Sequence, residues 1–381
     1  MTDRGPEPPR LPVLMARRTV SLVPGLALTI GLGWTSVWLA DVIGVRLLGF
    51  AKTPVSPVML AIVLGLVLRA VAPFPKALTP GVEFSVTRVL RLGIILLGIR
   101  LSIGDAFNLG AYGVPIVLIC VAAALFPTTR LNRLLGLPGR LGALIAVGTS
   151  ICGVTAIVAM APAIEAEEDE VAYAVAVITV FGLMATLLYP FVAHFAFGGR
   201  EVEAGLFLGT SVHDTSQVVG AASVYADLFG APRALEAATV TKLVRNVFML
   251  AVIPLVALHH ARSGGGREMA GKASLAGLFP QFILGFLLLA VVRSIGDSGV
   301  ADGGQAFGVW DASAWTALHG TVKTGAEYLL LVALAGVGMS TDFRSFGRLG
   351  LKPFLVGLGA ALAVGLVSFV AISALGSLVT L

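Results

Sequence analysis

Long apolar runs separated by short polar links make up almost the whole chain. About 20 apolar residues in a helix are enough to cross the hydrocarbon core of a bilayer. Eleven runs reach or approach that length, at 22–43, 55–72, 86–103, 107–127, 141–163, 171–197, 202–226, 235–258, 276–294, 315–338 and 352–377. The pattern predicts an all-α polytopic membrane protein with about 11 transmembrane helices. A polar tail over residues 1–20 precedes a single transmembrane domain over residues 21–381.

Composition agrees with this pattern and excludes an ordinary soluble domain. Of the 381 residues, 57% are hydrophobic and only 12% are charged, and the mean hydropathy is +0.95. Soluble domains carry about 25% charged residues. Lysine and arginine concentrate in the tail and in every second loop, which predicts a cytoplasmic N-terminus. The acidic run at 165–170 then falls in an outside loop. The net charge of +5 reflects this orientation rather than a nucleic-acid partner.

Two polar stretches interrupt the apolar pattern, at 148–157 and 209–220, and both begin Gly-Thr-Ser. Lipid-facing helices do not tolerate so many polar groups, so both stretches predict discontinuous helices whose breaks face a cavity. A broken helix leaves backbone N–H groups free to bind an anion, unless the small residues serve only close helix packing. The candidate substrate-binding residues in these stretches are Gly148, Thr149, Ser150, Gly153, Gly209, Thr210, Ser211, Thr215, Ser216 and Gln217.

Charged side chains within the apolar runs add further candidates. Lys242 and Arg245 share one helix face, and we predict that they bind substrate together with Asn246. His213 and Asp214 are candidates for proton coupling, because imidazole titrates near neutral pH and a carboxylate can orient it. Asp214 alternatively caps the second half-helix. Arg88 and Arg91 lie near a predicted helix end, where snorkelling to the surface is the simpler interpretation.

An internal repeat relates two segments, around 86–127 and 315–377. Each contains a Gly-rich helix end followed by a polar link and another apolar run, namely Gly98-Ile99-Arg100-Leu101-Ser102-Ile103-Gly104-Asp105 and Gly336-Val337-Gly338-Met339-Ser340-Thr341-Asp342-Phe343. The two helices run in opposite directions, which is typical of secondary transporters built from inverted repeats. The two Gly-Thr-Ser helices run in the same direction in this count. They therefore need a permuted or re-entrant element to fit the same symmetry.

Motifs for cofactor or metal chemistry are absent from the sequence. It contains no phosphate-binding Gly-x-x-x-x-Gly-Lys-Ser/Thr loop, no His-Glu-x-x-His and no Gly-x-Ser-x-Gly elbow. We therefore predict no cofactor, no metal and no enzymatic activity. Cys120 and Cys152 lie in apolar runs, where packing is the expected role.

The stretch from Gly209 to Val218 resembles the signature of the YeiH-like family of bacterial membrane proteins. The segments 148–157 and 242–246 resemble the same family. This resemblance implies a multi-pass transporter of the bacterial inner membrane. The family label proposes export of sulfate or a related sulfur oxyanion.

The sequence thus predicts a secondary transporter that moves a small anion across the cell membrane and is coupled to protons. A cation/proton antiporter that uses Asp214 as its ion ligand is the main alternative. An intramembrane enzyme with a catalytic Cys152 or His213, and a passive channel, are the others. The expected partners are a small anion, the lipid bilayer, and protons or sodium, and a homo-oligomer is left open.

Overall fold

The computed structural model describes residues 11–48, 55–262, 279–301, 303–341 and 350–379. Within these ranges the chain is helical, with one isolated bridge between Ala306 and Trp310. The helices are α1 (Leu11–Asp41, continued by a π-helix over Val42–Leu47), α2 (Pro57–Val71), α3 (Thr79–Phe84, continued by a π-helix over Ser85–Val89), α4 (Leu90–Leu97), α5 (Ile103–Leu134), α6 (Gly139–Ser150), α7 (Val154–Met160), α8 (Glu168–Phe197), α9 (Glu201–Ser211), α10 (Thr215–Phe229), α11 (Pro232–Val247), α12 (Met249–Arg262), α13 (Phe282–Ala301), α14 (Ala312–Ser340) and α15 (Leu351–Leu375).

Six of the described helical segments are long and apolar enough to cross a membrane. They correspond to α1, α5, α8, α13, α14 and α15. Helices α11 and α12 meet at a bend of 41°, and the pair gives a seventh candidate if it is one span. The all-helical membrane fold is therefore confirmed, whereas the predicted count of about 11 spans is not.

Helices α6 and α7 form a hairpin rather than one continuous rod. Arg140, at the start of α6, donates a hydrogen bond of 3.0 Å to the backbone oxygen of Glu165, which follows the 3₁₀ turn after α7. Its guanidinium also lies 3.6 Å from the Glu167 carboxylate. The entry and exit of this segment are therefore adjacent. We call it hairpin 1 (139–164).

Helices α9 and α10 form a second hairpin, hairpin 2 (201–229). The backbone N–H of Arg233, just after α10, donates 3.0 Å to the carboxylate of Glu201 at the start of α9. The ring of Phe229 at the end of α10 stacks on His194 in the last turn of α8, with 3.8 Å between ring centroids. The start of α9 and the end of α10 thus lie at the same end of the bundle as the end of α8.

The two hairpins enter the bundle from opposite ends. Helix α8 connects them, and its 30 residues span about 45 Å at 1.5 Å per residue. We call the end that holds Arg140 and Glu167 end A, and the end that holds Glu201 and Arg233 end B. The acidic run at 165–170 lies at end A, beside the start of α6. The sequence analysis placed a membrane-crossing helix, 141–163, between Arg140 and this acidic run, and that prediction is wrong.

Close helix crossings at glycine bring the long helices together. A Cβ atom on Gly338 of α14 would lie 2.2 Å from the backbone oxygen of Ile62 in α2, and one on Gly65 would lie 2.5 Å from that of Ala335. Small residues at such crossings let backbones pack tightly where lipid offers no hydrophobic driving force. The second predicted repeat motif, 336–343, begins at this crossing, and its residues 342–343 lie outside the described ones.

Single cysteine substitutions distinguish two hairpins from two crossing helices. We expect Arg133→Cys and Asp169→Cys to react with a membrane-impermeant maleimide from one side of sealed vesicles. Arg200→Cys and Arg233→Cys should react from the other side. The unmodified chain is the background control, because Cys120 and Cys152 are buried. Helices that cross at 141–163 and 202–226 would instead split each pair between the two sides.

Candidate functional site

The two hairpins meet at their tips inside the bundle. Tip 1 comprises residues 149–153, between α6 and α7, and tip 2 comprises residues 210–214, between α9 and α10. A Cβ atom on Gly153 would lie 3.0 Å from both Cβ and Oδ2 of Asp214, so the tips are in van der Waals contact. The sequence predicted both interruptions, and the structure brings them together at one place.

Arg245 of α11 joins the C-terminal ends of α6 and α9. Its Nε donates 2.7 Å to the backbone oxygen of Ser150, and another of its nitrogens donates to that of Thr149. Its Nη1 donates to the oxygens of Thr210 at 2.7 Å and Val212 at 2.9 Å. These carbonyls are the ones that a helix end leaves without a partner. The guanidinium is 1% exposed and binds both tips at once.

Lys242, one turn earlier on α11, binds the same two tips. Its ammonium donates 2.7 Å to the backbone oxygen of Ile151 and also donates to that of His213. The oxygen of Val212 lies 3.4 Å away. Within the described part of the chain, no carboxylate lies within 4.0 Å of Lys242 or Arg245. The negative C-terminal ends of the half-helices α6 and α9 therefore supply their neutralisation.

The four hydroxyl groups of the Gly-Thr-Ser motifs are bonded within their own helices. Each donates to a backbone oxygen three or four residues earlier, for example Thr149 to Ile145 at 2.8 Å and Thr210 to Leu206 at 2.7 Å. Thr210 also contacts the hydroxyl of Ser368 on α15 at 2.6 Å. These groups stabilise the tips in this conformation. Gly148 and Gly209 allow close packing there: a Cβ on Gly148 would meet Ile157, and one on Gly209 would meet Ala238 and Thr241.

Asp214 caps α10 and faces a cavity. Its Oδ1 accepts hydrogen bonds from the backbone N–H and the hydroxyl of Ser216, at 2.9 and 2.6 Å. Gln217 completes a capping box, with its Oε1 3.2 Å from the N–H of Asp214. The capping alternative for Asp214 is therefore realised. His213, by contrast, does not line the cavity, is 1% exposed, and its Nδ1 has no partner among the described residues.

The cavity has a volume of about 870 Å³. Its inner wall is formed by the two tips and the polar first turn of α10. Toward end A it is bounded by the start of α13 and the end of α14. The residues from the tips, α7, α10, α11 and α12 that line it are Cys152, Val154, Thr155, Asp214, Thr215, Ser216, Gln217, Asn246 and Met249. The Cys152 thiol lies 3.8 Å from the sulfur of Met249.

Asn246 places an unpartnered polar atom in this cavity. The side chain is 2% exposed, and its amide nitrogen donates 3.2 Å to the hydroxyl of Thr215. Its amide oxygen has no hydrogen-bond partner among the described residues. Buried polar atoms are almost always bonded, so an orphan atom in a cavity indicates a ligand or water position. Asn246 was predicted on the basis of its sequence segment alone.

Arg88 and Arg91 also line the cavity, opposite the tips. They lie three residues apart, across the junction of the π-helix and α4, and both side chains are exposed. No ion pair within the described ranges involves them. The sequence interpretation assigned them to a helix end at the membrane surface. The structure instead places both arginines in the lining of the same cavity as Cys152 and Asp214 of the tips.

The structure thus divides the predicted site residues into two groups. Those that line the cavity are Asp214, Thr215, Ser216, Gln217 and Asn246. Those that lie behind it and hold the tips together are Gly148, Thr149, Ser150, Gly153, Gly209, Thr210, Ser211, His213, Lys242 and Arg245. Substrate binding by either group remains a prediction.

Comparison with known proteins gives one consistent family. The model of the family described as Conserved hypothetical protein 698 matches residues 24–357. A UPF0324 membrane protein of Bacillus anthracis is 29% identical over 368 residues, which cover 96% of this chain and 98% of the relative. UPF0324 membrane protein Atu0671 of Agrobacterium fabrum is 31% identical and covers 91% and 92%. One from Streptococcus pneumoniae serotype 4 is 32% identical and covers 86% and 92%. The family resemblance found in the polar motifs is therefore confirmed, and the chain belongs to the YeiH-like family of membrane proteins described as Conserved hypothetical protein 698.

Proposed function

We propose that the protein is a secondary transporter for a small anion, with its binding site where the two hairpin tips face the cavity. The observation that carries this proposal is the meeting of two hairpins from opposite ends at the inner wall of one cavity. Secondary transporters bind their substrates at interrupted helices near the middle of the membrane. Movement of the tips relative to the opposite wall of the cavity would expose the site to either side in turn.

The distribution of charge favours an anion. Two buried cations, Lys242 and Arg245, stand behind the tips, whereas Asp214 is the one carboxylate that lines the cavity among the described residues. Arg88 and Arg91 add positive charge on the opposite wall. Charges inside a membrane domain are costly and mark substrate pathways. An anion bound between the arginine pair and the tips would be attracted both by that pair and by the two buried cations behind the tips.

We further propose that the two hairpins and the long helices that pack on them form an inverted repeat with a permuted order. Helix α5 packs on hairpin 1 and α15 packs on hairpin 2, while α5 and α15 pack on each other. Hairpin 1 follows α5 in sequence, whereas hairpin 2 precedes α15. In this arrangement nine segments cross the membrane, and the two polar segments enter it from opposite sides and return. The eleven apolar runs of the sequence are then nine crossings and two hairpins.

We assign end A to the cytoplasm on the basis of its basic residues. In the described ranges, the lysines and arginines at end A include Arg69, Lys76, Arg130, Arg133, Arg140, Arg262 and Lys352, against Arg46, Arg100, Arg200 and Arg233 at end B. Orientation follows lysine and arginine rather than net charge, so the acidic run at end A does not oppose this assignment. The proposal retains an N-terminus in the cytoplasm and a bacterial inner-membrane location.

A sulfur oxyanion such as sulfite or sulfate is the proposed substrate, which follows from the family resemblance. Asp214 is the proposed coupling carboxylate because it lines the cavity, and His213 is its proposed partner when the tip opens. The test is uptake into proteoliposomes of sulfite, sulfate, thiosulfate or a small carboxylate, with and without a pH gradient. We expect saturable, pH-linked transport of one anion that Arg88→Gln and Arg91→Gln reduce and that Arg46→Gln leaves unchanged. Transport that ignores the cavity arginines would contradict this site.

A cation/proton antiporter remains the second candidate, because Asp214 is a carboxylate at a hairpin tip. The variant Asp214→Asn separates the two functions. A cation site requires the charge, so the substitution would abolish sodium-driven proton movement. In the anion carrier Asp214 caps α10 and couples transport to protons but does not bind the anion, so anion transport would continue with a shifted pH optimum and a weaker response to the pH gradient.

A further inference from the structure

Among the described residues, the hydrogen-bond partners of the Lys242 ammonium group are all backbone oxygens. Its partners are the oxygens of Ile151, Val212 and His213, which come from both tips. The side chain is 1% exposed, and the same two tips contribute further oxygens to Arg245. A cluster of carbonyl oxygens from two unwound segments therefore surrounds one monovalent positive charge.

Such a cluster is what a dissolved monovalent cation needs. In carriers with discontinuous helices, carbonyl oxygens of the unwound segments and the C-terminal ends of half-helices coordinate a sodium ion or a proton-carrying group. At tip 1 and tip 2 these carbonyls are already occupied by the side chains of α11. A sodium ion would find neither a free set of oxygens nor a favourable potential beside Lys242 and Arg245.

We propose that Lys242 is a built-in cation that takes the position of a coupling sodium ion and joins the two hairpin tips permanently. The consequence is a carrier whose tips close without any dissolved metal cation. This inference rests on the tip geometry and specifies the ion requirement of the proposed function. It commits the protein to a mechanism in which substrate and protons, but not sodium, change the state of the site.

Chemical rescue tests the proposal directly on the purified protein. Lys242→Ala removes a three-carbon ammonium chain, which n-propylammonium can replace by way of the cavity wall at Cys152 and Asp214. We expect Lys242→Ala to melt at a lower temperature than the unmodified protein, and n-propylammonium to restore at least half of the loss. Choline at the same ionic strength should restore none of it. The matched control is Lys323→Ala, which removes an exposed lysine from α14.

Several outcomes would overturn the proposal. One is an equal effect of n-propylammonium on Lys242→Ala, Lys323→Ala and the unmodified protein. Another is a variant Lys242→Met, which keeps the length of the chain without its charge, that melts at the same temperature as the unmodified protein. If neither Lys242 variant folds, the unmodified protein decides: its melting temperature should be the same in sodium chloride and choline chloride, and a stabilisation specific to sodium contradicts the inference.

These measurements need no substrate, so they stand apart from the proposed function. Failure of every anion to be transported would leave the rescue experiment intact. Conversely, anion transport that requires sodium would refute the built-in cation and leave the anion carrier in place.

Discussion

Replacing Arg245 with methionine should remove most of the folded protein. The substitution leaves the backbone oxygens of Thr149, Ser150 and Thr210 without their donor, and those of Ser150 and Thr210 now accept from Arg245 at 2.7 Å. Each buried polar group without a partner costs about 1–3 kcal/mol. Three such groups together cost an amount comparable with the total stability of a typical protein, about 5–15 kcal/mol.

The measurement is the monodisperse fraction on size-exclusion chromatography in mild detergent, followed by the melting temperature. Arg46→Met is the matched control, because Arg46 is exposed and pairs with Asp41 at 3.3 Å. Exposed pairs contribute about 0–1 kcal/mol, so the control should behave like the unmodified protein. Arg245→Lys keeps the charge but has no planar fork that can reach both tips. We expect it to recover only a small part of the loss. Similar behaviour of Arg245→Met and Arg46→Met would show that the guanidinium does not hold the tips.

The position of the candidate site could be predicted from the sequence because its polar residues stand out from the apolar runs on either side. Polar residues between 209 and 220 have no reason to interrupt an apolar run unless they face a cavity or each other. The helix breaks at 151–153 and 212–214 follow from the same residues. Asp214 as a cap also follows from local sequence, since Asp followed three residues later by Gln is a capping box.

The path of the chain through the site could not be predicted in the same way. Whether a broken helix continues or turns back depends on contacts such as Arg140 with Glu165 and Arg233 with Glu201. Apolar length alone gives both paths the same hydropathy profile. If each hairpin is counted as a membrane crossing, the loops between the two hairpins are assigned to the wrong side of the membrane. The acidic run at 165–170 is the result of that reversal.

The chemical environment of Lys242 and Arg245 could not be predicted from the sequence either. Their spacing predicted a shared face inside the bundle, and both are buried. Two basic side chains inside the membrane domain are equally consistent with binding a substrate, pairing with Asp214 or donating hydrogen bonds to backbone oxygens. Only the positions of the two helix ends decide among these, because carbonyls without intrahelical partners exist where α6 and α9 stop.

Replacing Gly153 with alanine should separate the two tips. The residue has φ 66° and ψ −127°, a conformation that L side chains rarely adopt. Strain of this kind costs about 1–3 kcal/mol. In addition, the new Cβ would lie 3.0 Å from both Cβ and Oδ2 of Asp214, and 3.2 Å from its Cα. Since Asp214 is fixed by its bonds to Ser216, tip 1 has to move away from tip 2.

Gly136→Ala is the control for a side chain at a positive φ. Gly136 also has a positive φ, of 67°, but no atom lies within 4 Å of an added Cβ. The control therefore carries backbone strain alone. We expect Gly153→Ala to lower the melting temperature more than Gly136→Ala and to lower anion transport at least tenfold, while Gly136→Ala keeps transport near normal. Equal losses in the two variants would mean that contact between the tips contributes nothing beyond backbone strain. A tenfold loss of transport by Gly153→Ala protein that is still folded at the assay temperature, with near-normal transport by Gly136→Ala, would support a role of the tip contact in the transport cycle.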